Sequence, residues 1–387
     1  MRKIVCYNRL YGFFRTIIKV AGRTRYNWFR IFFPKKRAQR NVSLIGCGQF
    51  GFATISYFLY KNLGSCFLQC YDVDKENSVS TARFWGYVPV KDWKELIANP
   101  DCKYVYIASD HYSHSKYAIE ALKAGKIVYC EKPIAVNDRQ FKALEEVICR
   151  YPDKIYFGYN RPFSKAIADL KIYIQDILQP MTLNCFVSGH RLAPDHWYND
   201  PKEGTRICGN LGHWIDLSMY LFEIRGYVPT KFDINIICAD DQVADDNITV
   251  TYRTEFGDLV TLVLTSRTEP FEGINETINL QCGNVISKID DFQAQTIWVD
   301  SGKTKIKYRP KDVGHRGAIN QPFGSRKREL STVLKSTQLM LEIREMAVNY
   351  EKEKVYLILR ILKTGISLEA MPPWVSENGF SSSQAVC

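Results

Sequence analysis

The chain has 387 residues, 46% hydrophobic and 24% charged, with a formal net charge of +11 at pH 7. That length permits two domains, each with its own core, and the composition excludes collagenous, low-complexity and disordered classes. Its twelve cysteines are scattered, with no C-x-x-C pair and no zinc-like Cys/His spacing, so reduced thiols in a cytoplasmic protein are expected and no metal site is.

The charge is concentrated at one end. Residues 1–40 hold twelve Lys/Arg and no Asp/Glu, leaving 40 basic and 41 acidic residues in the remainder. In this extension Leu10, Phe13, Phe14, Ile17, Ile18 and Ala21 share one face at helical spacing, with Arg9, Arg15, Lys19 and Arg23 on the flanks and back. Its apolar runs are too short to span a bilayer, and no small-residue cleavage site follows a long apolar core, so no secretory leader is expected. A basic amphipathic helix of this kind suits the surface of an anionic membrane, as a peripheral contact at its inner face. The competing reading is a helix docked on its own subunit or on an oligomer mate. Nucleic-acid binding ranks third and is not expected.

Residues 41–74 read as strand, phosphate loop, helix, strand and acid. An apolar run (Val42, Leu44, Ile45) ends at Gly46, Gly48 and Gly51, spaced G-x-G-x-x-G around Gln49 and Phe50, and a second apolar run ends at Asp72, 21 residues past Gly51. In such a unit the glycines permit a tight turn, backbone approach to a pyrophosphate and close helix–strand packing, while the acid accepts hydrogen bonds from a ribose diol. Dinucleotide binding is therefore expected. Asp72 favours NAD, because a carboxylate repels a 2′-phosphate; Lys75 nearby softens that preference and leaves NADP open.

Strand and helix patterns then alternate, as in a doubly wound parallel sheet. The run 104–108 ends in Ser109-Asp110-His111-Tyr112-Ser113-His114, and 127–130 ends in Glu131-Lys132-Pro133. Ligands of these sheets lie at the carboxyl ends of the strands, which places Ser109, His114, Glu131 and Lys132 at the crevice. Beyond about 156 the strands lengthen and become more polar, with runs at 182–189, 232–239, 247–254, 259–266, 276–282 and 295–299, as in a second α/β domain with a mostly antiparallel sheet. Within it, His213 and Asp216 fall one turn apart on one helix face. Residues 331–363 show helical spacing broken near 349–353, and 366–387 reads as a tail.

The glycine loop, Asp72, the run ALKAGKIVYCEKPIAV (121–136) and YNRPFSKAI (159–167) resemble the glucose-fructose oxidoreductase / inositol dehydrogenase (Gfo/Idh/MocA-like) family. The resemblance covers roughly residues 41–365. It implies an N-terminal Rossmann domain (41–155), a substrate-binding and oligomerisation domain (156–365) whose last helix returns to the first domain, and a homo-oligomer. It also implies hydride transfer between NAD(P) and a secondary hydroxyl or keto group of a sugar, polyol or nucleotide-sugar. Lys132 then holds and activates the substrate oxygen, and His213, with a solution pKa near ~6.5, is the acid/base. Arg161, Trp197, Asn210 and Asp216 are expected around the substrate. The chain departs from the family at Asp110, where proline is frequent, and at Gly209, where an aspartate usually stands four residues before the histidine. With the basic extension, the resemblance suggests envelope glycan synthesis. The alternatives are a lyase or epimerase that retains NAD, and a non-catalytic cofactor-binding scaffold at the membrane surface.

Overall fold

The computed structural model describes residues 2–193, 195–240 and 243–358; the expected tail at 366–387 lies outside the described residues, as does the end of the second domain past 358. The chain opens with two helices, α1 (Arg2–Tyr11) and α2 (Phe13–Thr24). There follow β1 (Val42–Ile45), a π turn at Gly51–Ile55 running into α3 (Ser56–Leu63), β2 (Phe67–Tyr71), α4 (Lys75–Trp85) and β3 (Val88–Pro89). The first domain continues through α5 (Trp93–Ala98), β4 (Tyr104–Ile107), α6 (His111–Lys123), β5 (Ile127–Cys130), α7 (Asp138–Ile148) and β6 (Ile155–Phe157). Local chemistry sets this alternation. The strands are short apolar runs, buried along all of β1. Helices start at Asp74, Asp92, Asp110 and Asn137, whose side chains accept a backbone N–H two or three residues on.

The six strands run parallel in the order β3-β2-β1-β4-β5-β6. The order reverses between β1 and β4, so a crevice opens at their carboxyl ends.

The second domain holds α8 (Lys165–Ile174), β7 (Met181–Ser188), α9 (Gly212–Ile224), β8 (Lys231–Cys238), β9 (Asn247–Thr254), β10 (Leu259–Thr265) and β11 (Asn275–Cys282). It continues with β12 (Val285–Asp290), β13 (Ala294–Val299), β14 (Gly302–Lys307), α10 (His315–Ile319), α11 (Leu330–Val348) and β15 (Glu353–Leu357). Its nine strands are ordered β14-β13-β12-β11-β7-β10-β9-β8-β15, antiparallel at every junction except β7/β10. Helix α9 is apolar on nearly all sides and accordingly is buried almost throughout. Helix α11 lies along α9 and also touches α7 of the first domain. The helical spacing expected to resume after 353 gives way to β15, an edge strand paired with β8.

Part of the extension's apolar face docks on its own subunit, the reading set beside the membrane contact. Ile17, Ile18 and Ala21 are buried in one cluster with Val42, Leu44, Phe52 and Ala53 of the first domain. Burying each isoleucine contributes about 1.5–3 kcal/mol, so this part of the face is spent on its own domain, while Phe13 and Phe14 of the same face stay exposed. Among the described residues no helix is long and apolar enough to cross a membrane.

Candidate functional site

The loop after β1 is shaped by contacts at two of its glycines. Gly46 has φ +92°, and a Cβ there would lie 2.3 Å from the Ala108 carbonyl after β4; a Cβ on Gly51 would lie 2.1 Å from the Gly46 oxygen. Gly48 differs, since a Cβ would meet nothing within 4 Å. The two outer glycines lock the turn and the middle one faces open space, which is the shape a pyrophosphate requires. At the end of β2, Asp72 accepts the Cys47 N–H at 2.6 Å and the Asp74 N–H at 2.9 Å, which fixes its carboxylate beside the loop. The Gln49 side chain donates to the Lys19 carbonyl at 3.1 Å, and the Phe50 ring stands 5.5 Å from His315. The residues present therefore fit the adenosine and diphosphate portions of a dinucleotide.

Across the crevice, the end of β5 meets the second domain. Lys132 Nζ donates to the Gly209 carbonyl at 2.7 Å. Burial lowers the ammonium to about 8, with Arg161 adding to the effect and Glu131 opposing it. Burial also raises the Glu131 carboxyl to about 7, against the 2.7 Å hydrogen bond it accepts from Tyr129. A Cβ at Gly158 would lie 2.5 Å from the Glu131 carboxylate, so only glycine leaves room for it. His213, at the start of α9, is buried, and its Nδ1 has no hydrogen-bond partner among the described residues. Desolvation, then the fields of Arg161 and Lys132, push it well below the ordinary histidine value, so the imidazole is neutral at pH 7.

Lys132, His213, the glycine loop and Asp72 line one cavity of about 1340 Å³. Single small-molecule sites commonly occupy about 300–1,000 Å³, so there is room for a dinucleotide and a second ligand. Ser109, Glu131, Arg161, Trp197 and Asn210 line it too. Arg161 does so as a wall. Its guanidinium is bidentate on Glu276, at 2.9 and 3.1 Å, and lies 4.2 Å from the Trp214 ring centre, so its charge is already met. His114 borders the cavity but holds the loop: Nδ1 donates to the Pro133 carbonyl at 2.8 Å and Nε2 lies 3.2 Å from the Ser109 carbonyl.

Asp216 is the exception, and the substrate contact expected of it is corrected. Although one turn from His213, it is fully buried away from the cavity, paired with Arg328 at 2.5 Å and accepting Ser336 Oγ at 3.1 Å from α11. The helix face it shares with His213 is split between the cavity and a neighbouring helix.

Sequence reasoning missed Tyr198. A Cβ at residue 209 would stand 1.8 Å from its hydroxyl oxygen, so the phenol fills the space that a side chain at 209 would take. Its ring packs 4.9 Å from that of His111. The signal was present only indirectly, as a glycine where the family pattern has an aspartate. His315 and Glu276 were missed as well, because each reaches the cavity through chain pairings more than a hundred residues long.

A parallel sheet with its phosphate loop at the switch point, joined to an antiparallel domain that supplies the facing wall, defines a two-domain α/β protein with a cleft shaped for a dinucleotide. Residues 40–159 match the model of the oxidoreductase family with an NAD-binding Rossmann fold. The chain is 25% identical over 187 residues to inositol 2-dehydrogenase of Gluconacetobacter diazotrophicus, covering 47% of this chain and 54% of that protein. It is 32% identical over 168 residues to levoglucosan dehydrogenase of Pseudarthrobacter phenanthrenivorans, covering 39% and 41%. The match thus spans about half the length of these curated relatives. In fold the likeness extends further: a levoglucosan dehydrogenase solved with NADH and L-sorbose superposes with TM-score 0.69, at 19% identity, over 83% of this chain and 99% of that one.

Proposed function

We propose that the protein is an NAD-linked oxidoreductase acting on a secondary hydroxyl or keto group of a sugar or polyol, free or nucleotide-linked. The observation that carries this reading is the shared cavity, in which a cleft lysine lowered to about 8 and a neutral histidine face a loop shaped for pyrophosphate. The names of the relatives, inositol and levoglucosan dehydrogenases, support the substrate class. Asp72 supports NAD over NADP. An envelope-glycan role would rest on a membrane contact through Phe13 and Phe14, which stay exposed while Ile17, Ile18 and Ala21 are in the core. Association into a homo-oligomer is proposed through the open face of the nine-stranded sheet, where Phe186, Ile237 and Ile286 are exposed; light scattering tests it.

When bound, the nicotinamide supplies the acceptor for the hydride of a carbinol carbon. Lys132 Nζ, held by the Gly209 carbonyl, retains donors for the carbinol oxygen and orients it. His213, neutral at rest, takes the hydroxyl proton on a ring nitrogen and becomes an imidazolium. Trp197 and Tyr198 form the rim that limits water.

The test is reduction of NAD+ and NADP+ over a panel of sugars, polyols and nucleotide-sugars, for wild type and His213→Ala. Turnover with NAD+ is expected for at least one polyol or sugar, falling by about 10²-fold or more in the variant with cofactor affinity retained. Wild-type turnover in His213→Ala overturns its role; absence of both cofactor binding and turnover in wild type overturns the proposal.

A further inference from the structure

The extension lies outside the stretch matched to the family, yet it lines the same cavity. Contacts with both domains hold it in place. Helix α2 lies close against the loop, since a Cβ on Gly22 would be 2.7 Å from the Gln49 amide oxygen and 3.0 Å from Ala53 Cβ. At the end of α1, the Leu10 carbonyl accepts the Lys311 N–H at 2.8 Å and the Tyr11 hydroxyl donates to Glu272. A charged strip is thereby fixed beside the glycine loop.

That strip is Arg15, Lys19 and Arg23, spaced four apart and so on one face of α2; all three line the cavity. Arg15 is anchored, donating to the Ala53 carbonyl and to Thr54 Oγ1 at 2.9 Å. Lys19 and Arg23 have no ion pair among the described residues. Burial, then the charges of Arg15 and Arg23, lower Lys19 to about 8, and the carboxylate that offsets this, Glu272, is already shared by Tyr11 and Lys311. Like charges crowded at a partly dry wall destabilise the fold unless an anion meets them. The facing loop, open at Gly48, suits the same kind of anion.

We propose that α2 is a second, cationic wall of a phosphoryl-binding site, with Lys19 and Arg23 gripping from one side the group that the glycine loop cradles from the other. The inference rests on the dinucleotide reading of the cavity. The phosphoryl group belongs either to the dinucleotide, which the extension then retains, or to a phosphate ester on the second ligand.

The full chain and its Lys19→Gln/Arg23→Gln variant are titrated with NADH, adenosine and inorganic pyrophosphate, and, with NADH saturating, with a hexose phosphate against the free hexose. Lys19→Arg serves as the conservative control, and melting temperatures establish that all forms are folded. The expected result is NADH and pyrophosphate binding weakened roughly ten- to hundred-fold in the double variant, with adenosine binding unchanged and Lys19→Arg close to wild type. Loss confined to the hexose phosphate also supports the site and assigns the phosphate to the second ligand. Unchanged affinity for NADH, pyrophosphate and hexose phosphate overturns it. Failure of the dinucleotide reading appears separately, as a wild type that binds no NADH, and pyrophosphate then still reports on the α2 wall.

Discussion

Lys132→Met should make the protein more stable while stopping its chemistry. The methionine keeps the length of the side chain and removes the charge. Holding the ammonium in the cleft lowers its pKa from 10.5 to about 8, which corresponds to roughly 3 kcal/mol against the charged form at neutral pH. Losing the hydrogen bond to the Gly209 carbonyl offsets this by about 1 kcal/mol. The variant should therefore gain roughly 2 kcal/mol at pH 7, and at ~2–4 °C per kcal/mol its melting temperature should rise by several degrees. The pH dependence follows from the direction of the shift. Between 8 and 10.5 the unfolded wild type binds more protons than the folded one, so wild-type stability climbs with pH across this window while the variant lacks the term. The variant's advantage should be full below pH 8, vanish within this window and give way above about 10.5 to a deficit of about 1 kcal/mol from the lost hydrogen bond. Scanning fluorimetry across that range measures it, with turnover and NADH binding recorded at pH 7. A variant no more stable than wild type at pH 7, or a gap independent of pH, refutes the account of Lys132.

Gly209→Ala should cost activity and stability, since the new Cβ lands 1.8 Å from the Tyr198 hydroxyl and the turn that supplies the Lys132 acceptor must shift. Adding Tyr198→Ala should restore part of the loss, with a coupling of about 0.5–3 kcal/mol in a double-mutant cycle; additive effects would show that the two residues do not share this space. Asp216→Asn leaves Arg328 buried against a neutral partner and should lower stability by an amount approaching the roughly 3–5 kcal/mol of a broken buried pair. Denaturant melts check it, and an unchanged melt with a raised KM would return Asp216 to the substrate site.

What the sequence made legible was local. The loop from Gly46 to Gly51 and its acid at Asp72 lie within one strand–helix–strand unit, where spacing and geometry are tied by the backbone. Lys132 could be put at a strand's carboxyl end from sequence because that end is a position, whatever the rest of the chain does. Asp216 shows the limit of the same reasoning: helical spacing says which residues share a face, but the partner of that face, Arg328, is 112 residues away. The edge strand β14, reading GKTKIK, carries lysines and little apolar alternation, as exposed edges do, and so hides from a pattern search. The amphipathic face of α2 was visible, but the choice between its own subunit and a bilayer was not, because both offer an apolar surface to the same stripe.

Gly209 joins these threads. A carboxylate at this position would hold Lys132 charged, as an opposite charge within a few ångströms does. Here the lysine faces a carbonyl dipole instead, and the space for a side chain at 209 is filled by the neutral phenol of Tyr198. Burial then outweighs the pull of Glu131, whose own carboxyl is raised, and the amine titrates about 2.5 below its ordinary value. At neutral pH a fraction of the lysine is already an amine, beside a histidine that is also neutral. On the proposed function, the departure from the family pattern would leave proton transfer to two weakly basic groups, Lys132 and His213, whose balance is set by burial.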